Sequence, residues 1–165
     1  MHNFLKKVLA VVAILVVSPG WVLAGVATQS LPVSATVPND CAFSGGAATL
    51  NFGSYSPIGA NATSNLDATG SFNISCTAGT TGSIALDLGS NASGATRRMS
   101  SGTNFLNYEI YTDSGHTTVW NNVNLVNYTA VSSAPVTQTI YGSVPGGQNV
   151  GAGNYTDTVT ITVTF

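Results

Sequence analysis

Charge is what this chain has least of: four Lys and Arg against six Asp and Glu in 165 residues. Both lysines, Lys6 and Lys7, lie at the very start, so Arg97 and Arg98 are the only basic side chains after residue 24. Two cations cannot neutralise a phosphate backbone, which excludes nucleic acid as an expected partner. Histidine is nearly as scarce. Beyond the first residues only His116 remains, in "DSGHTTVW", a hairpin-turn sequence with Asp113 and Gly115 as its turn formers. A hydrolase built on a nucleophile and a base needs a histidine beside Ser, Thr or Cys, and a turn is a poor place for one. The acids are scattered. Asp40, Asp67, Asp113 and Asp157 lie in or beside turns without EF-hand spacing. A glycosidase pair would have to be drawn from Glu109 or Asp113 with Asp87. The glycine-rich "PGGQNVGAG" lacks a lysine and precedes a strand pattern, so it reads as a flexible loop and not a phosphate cradle. The expectation is a non-enzyme with no catalytic residues, no cofactor and no metal site.

Long apolar runs are also missing after the first residues. "VLAVVAILVV" follows the two lysines, and Val22 and Ala24 occupy the small-residue positions of a cleavage site. Residues 1–24 therefore read as a signal peptide cut before Gly25. The run is only about half of a spanning helix, and a Pro19–Gly20 pair follows it. Export places Cys41 and Cys76 in an oxidising compartment, where a disulfide is the expected state. Closing that loop stabilises by about 4 kcal/mol on the chain-entropy estimate.

What the chain has in quantity is two-residue alternation. Phe72, Ile74 and Cys76 are in phase, as are Ile84, Leu86 and Leu88. "FLNYEIY" places Leu106, Tyr108 and Ile110 inward with Phe105, Glu109 and Tyr111 outward, or the reverse near an edge. "PVTQTIYG" puts Val136 and Ile140 on one face with Gln138 between them. "TLNFGSY" reads as a further strand, and "TVWNNVNLVNY" as one broken by a bulge or turn at Asn121–Asn122. Turn formers separate these runs, among them "SGGA", "GTTG" and "DSGH". No helical period survives past the leader. Seven to nine short strands of this kind make an all-β sandwich or small barrel. Arg97 and Arg98 are expected on a solvated strand edge.

The two ends share one pattern. In "YTDTVTITVTF" the side chains of Val159, Ile161, Val163 and Phe165 face inward and the threonines outward. In "QSLPVSATV" Leu31, Val33, Ala35 and Val37 fall on one face. Laying that segment into an apolar groove gains burial of the same order as the entropy lost in ordering it. Backbone pairing therefore decides whether it is held. Pro32 cannot donate a hydrogen bond and prefers an edge-like position. Periodicity alone leaves two arrangements open, closure of the chain's own sheet or insertion into a neighbour's.

The combination of Phe52–Gly53 with Tyr55, the Cys41/Cys76 pair, Arg98–Met99, Leu106 with Tyr108, Tyr111 and Asp113, Trp120, Tyr141–Gly142, Gln148, and Gly153 through Asp157 resembles the spore coat protein U domain family. That family includes major subunits of archaic chaperone–usher pili. The resemblance spans about residues 35–165 and implies an incomplete immunoglobulin-like, pilin-type β-sandwich over residues 39–165. It implies a donor strand within residues 25–38, centred on 27–37, and an acceptor groove lined by the C-terminal strand through Phe165. The implied partners are identical or related subunits in a head-to-tail polymer, a periplasmic chaperone and an outer-membrane usher. The implied location is the periplasm after export, then an extracellular fimbrium serving surface attachment and biofilm formation. Two other readings remain: a self-complete coat or cell-surface protein, and a carbohydrate-binding sandwich that stacks sugars on Tyr128, Trp120 or Tyr55.

Overall fold

The computed structural model describes residue 20 and residues 24–165. The leader expected over residues 1–24 lies, apart from Gly20 and Ala24, outside the described residues. Among the described residues no helix is long and apolar enough to cross a membrane.

The chain divides into two units, one ending at Ala35 and the other spanning Thr36–Phe165. The described part of that segment has no regular secondary structure, and Leu31 and Val33 are 84% and 87% exposed.

Thr36–Phe165 contains eight strands: β1 (Cys41–Thr49), β2 (Leu66–Cys76), β3 (Thr81–Leu86), β4 (Arg97–Ser101), β5 (Asn104–Tyr111), β6 (Val126–Thr129), β7 (Val136–Val144) and β8 (Ile161–Thr164). Five form one sheet in the order β1-β2-β7-β5-β4, and three form another in the order β6-β3-β8. Every ladder between these strands is antiparallel. The inner faces meet in one core. The large sheet contributes Phe72, Ile74, Leu106, Ile110 and Ile140, and β3 contributes Ile84 and Leu86. Alternation named these faces correctly outside β5, where it left two phases, because side chains on a strand point to opposite sides in turn.

Three segments differ from expectation. "SGGA" is not a turn between strands but lies inside β1, where the register with β2 shifts between Ser44 and Thr49 and Gly45 takes φ +81°. Only glycine holds that conformation cheaply, so the pair makes a bulge in a continuing strand. "TLNFGSY" leaves the ladder after Thr49. Leu50 and Phe52 instead lie over β7, and a methyl on Gly142 would come within 2.7 Å of Leu50 Cδ2 and 2.8 Å of Phe52 Cζ. The bare glycine is what lets them close on the sheet. Arg97, expected in solvent, is fully buried. The turn at Asn121–Asn122 is present: Asn121 Oδ1 accepts hydrogen bonds from the backbone N–H of Val123 and Asn124.

The disulfide joins Cys41 at the start of β1 to Cys76 at the end of β2, directly opposite in register with 4.1 Å between Cα atoms. It staples an edge strand of the large sheet to its neighbour.

A candidate strand-acceptor groove

β8 is an edge strand. Its inner edge is paired: residues 161–164 match residues 83–86 of β3. The pairing continues upstream, where Asp87 N–H donates to Thr160 O at 3.0 Å and Ser90 N–H to Thr158 O at 3.0 Å. Even-numbered residues of this segment therefore spend their backbone groups on β3 and the loop after it. In a strand the odd-numbered groups point the other way. The N–H and C=O groups of Val159, Ile161 and Val163 face a side on which, among the described residues, the sheet has no further strand. Val159, Ile161 and Val163 are each only half-buried, and Phe165 is 51% exposed. Val159, Ile161 and Val163 thus pack against the core without the expected depth, because among the described residues no strand stands beside β8 on that side to cover them. Phe165, expected to line the groove, lies outside it beside Thr81 and Gly82 of β3.

Beside this edge runs an open groove of about 1040 Å³. Leu86, Leu106, Ile110 and Ile140 form its floor from both sheets, and Leu50, Phe52, Val159 and Ile161 lie along it. Its floor is apolar, while polar residues such as Thr49, Asn51, Ser54 and Thr158 also line it. A groove of that character next to an unpaired strand edge offers one side pattern and one hydrogen-bonding row, which is what an extended apolar segment needs.

One end of the groove is polar. Tyr108 Oη donates to Asp157 Oδ2 at 2.7 Å, while Asp157 Oδ1 accepts from Asn91 N at 3.1 Å and Asn91 Nδ2 at 2.9 Å. Burial, reinforced by the bond to Asp157, pushes the Tyr108 hydroxyl well above its ordinary pKa, so it stays a donor. Asp157 takes the inward position in phase with Val159, an odd place for a carboxylate that these bonds explain. Gln148 works at the large sheet: Asn107 N–H donates to its Oε1 at 2.8 Å and its Nε2 donates to Asn107 O at 2.9 Å. The side chain thereby replaces a backbone partner on β5. Tyr55 donates to Pro145 O and accepts from Gln148 N–H, fixing the loop between them.

Most of the candidate chemical residues are committed to structure. Glu109 is paired with Arg97. Asp87 accepts from Gly89 N–H and Thr160 N–H. Asp113 accepts from Thr117 and Thr118 N–H inside its turn. His116, not Gly115, supplies the positive φ there, and its ring rests on Tyr111 with 4.9 Å between centroids. Among the described residues no group of three or more His, Cys, Asp and Glu could hold a metal. Trp120 and Tyr128 are 1% and 8% exposed, so they are core and not the sugar-stacking surfaces one reading required.

Two sheets with an unfilled position beside an apolar groove define a class, the incomplete pilin-type immunoglobulin-like sandwich. The chain belongs to the Spore Coat Protein U domain family, whose model matches residues 27–162. It is 37% identical over 155 residues to Protein U of Myxococcus xanthus, covering 86% of this chain and 87% of that protein. It also resembles a chain in the CsuC–CsuE chaperone–tip adhesion subunit pre-assembly complex from the archaic chaperone–usher Csu pili of Acinetobacter baumannii. That likeness has 26% identity and a TM-score of 0.54 over 79% of this chain, which spans only 40% of the solved chain. The family is one of structural proteins, and this chain is not an enzyme.

Proposed function

We propose that this chain is a structural subunit of an extracellular fimbrium, assembled by strand exchange between copies through a chaperone–usher route. The single observation that carries the reading is the vacancy: an unpaired edge at Val159–Val163 beside an apolar groove. The occupant is residues 27–37 of a neighbouring subunit, with Leu31, Val33, Ala35 and Val37 facing in. Support comes from the state of that segment, which has no regular secondary structure and leaves Leu31, Val33 and Val37 77–87% exposed. A strand of this kind, lacking charge and carrying apolar residues at every second position, is firm only where a ladder receives it.

Before assembly a periplasmic chaperone fills the vacancy, and an outer-membrane usher exchanges it for the next subunit's strand. Each subunit gives a strand at one site and receives one at another, so the contact is head-to-tail and does not close. The product is a fibre on the cell surface, suited to attachment and biofilm formation. The second reading, a coat or surface protein that fills its own vacancy, draws on the likeness to Protein U.

Deleting residues 25–38 and supplying them as a free peptide tests both. Strand exchange predicts that the shortened chain forms no fibres, binds a chaperone, and gains thermal stability from the peptide. A full-length mature chain that stays monodisperse, with residues 27–37 protected from amide exchange in its own sheet, would overturn it.

A further inference from the structure

An empty apolar groove has a physical problem: water favours closing it. Apolar contacts are non-directional, so the groove's own walls cannot fix its width. Something directional must hold the sheets at strand-accepting distance.

Arg97 meets that requirement. It leaves β4 in the large sheet and is fully buried. Its Nε donates to Asp87 O at 3.0 Å, and Nη2 donates to Asp87 O and to Trp120 O, the latter at 2.8 Å; the Leu86 carbonyl lies 3.4 Å away. Nη1 pairs with Glu109 of β5. One guanidinium thus reaches the end of β3 in the small sheet, β5 in the large sheet, and the connection after β5. Trp120 adds a second tie, its Nε1 donating to Ile84 O at 2.9 Å. Leu86, flanked by these bonds, is also part of the groove floor.

We propose that Arg97 is the positioning residue of the groove: its fixed fork of hydrogen bonds sets the spacing of the two sheets and keeps the vacancy open before a strand enters. The inference rests on the strand-exchange reading above. Closing the groove would drag β3 relative to β4 and β5. The guanidinium would lose acceptors in a site with no water to replace them, which is far costlier than losing a bond in solvent. A planar five-donor fork does this where a single ammonium cannot.

The test is titration of a fluorescent peptide of residues 25–38 into dilute mature chain, comparing wild type with Arg97→Met, Arg97→Lys and Glu109→Gln, with melting temperatures recorded in parallel. Positioning predicts about a tenfold or greater loss of peptide affinity in Arg97→Met, carried by slower association, since only a fraction of molecules then hold an open groove. Arg97→Lys recovers part of the loss, and Glu109→Gln gives a smaller loss than Arg97→Met. A purely structural arginine predicts a lower melting temperature with unchanged affinity, and that result overturns the inference alone. Should Arg97→Met not fold, unchanged affinity in Glu109→Gln overturns it. Absence of peptide binding by the wild type overturns the strand-exchange reading and this inference with it.

Discussion

β3 and β8 are neighbours in one sheet, carry the same alternation, and end in opposite states. Ile84 and Leu86 are 0% and 1% exposed, while Ile161 and Val163 are half-buried and Phe165 is 51% exposed. The difference lies in what flanks them. β3 has a strand on each side; Trp120, in the connection after β5, donates to its Ile84 carbonyl, and Arg97 of the large sheet donates to the Asp87 carbonyl just beyond it. β8 has β3 on one side and the vacancy on the other. Alternation fixes which face a side chain takes, and the neighbouring strands fix how deep it lies.

The comparison can be pressed hardest at Leu86. Leu86→Ala should destabilise the free chain by roughly 3–5 kcal/mol, because a fully buried side chain leaves a cavity. A denaturant midpoint close to wild type would show that β3 is less well packed than its burial indicates.

Removing the staple from the other edge comes next. β1 and β8 are both edge strands, but only β1 is tied, through Cys41 and Cys76. Cys41→Ser should cost about 4 kcal/mol on the chain-entropy estimate, read as a lower melting temperature. An unchanged melting temperature would mean that the ladder to β2 suffices without the bond.

Ile161→Ala should cost only about 1–2 kcal/mol in the free chain, since much of its area is already in water. In peptide-bound or polymeric protein the cost should climb toward the Leu86 figure as the groove fills. Equal costs in both states would argue that no strand covers β8 on assembly.

The smallest effect is expected at Asp87, which ties the end of β3 to Thr160 just before β8. Burial raises the Asp87 carboxyl, but hydrogen bonds from Thr160 and Gly89, with the charge of Arg97, outweigh it and the net pKa falls below its ordinary 3.8. A depressed carboxyl contributes stability that is present above the ordinary value and is lost as pH drops through the folded one. Stability of the wild type should therefore decline below about pH 4, and Asp87→Asn should flatten that limb by less than about 1 kcal/mol, the scale of an exposed pair. An identical acid limb in the variant would remove Asp87 from the account.

Much of the fold was legible in the chain because its main signal is local. The phases of Phe72, Ile74 and Cys76, and of Ile84 and Leu86, were readable from two-residue periodicity, and so was the pairing of the two cysteines. For Leu106, Tyr108 and Ile110 periodicity left two phases, and only the packing of β5 chose the buried one. Arg97 was not. A cation two residues before Met99 looks like a wet position, and its burial depends on carbonyls of Leu86, Asp87 and Trp120 that converge only in three dimensions. A usable hint was its phase: Arg97 shares a face with Met99, which packs against the core. Nor was the fate of "SGGA" legible, since Gly-Gly serves a bulge or a turn equally well and only the partner strand selects between them.

The sequence by itself determined that this protein is all-β, is poor in charged side chains, and carries alternating apolar segments near both ends. Those follow from composition and period, which act residue by residue. The tertiary structure decided that β8 stands at an edge, that an apolar groove is left unfilled beside it, and that a buried arginine bridges the sheets. Each depends on contacts between residues far apart in the chain, and a vacancy in particular has no residues of its own to be read.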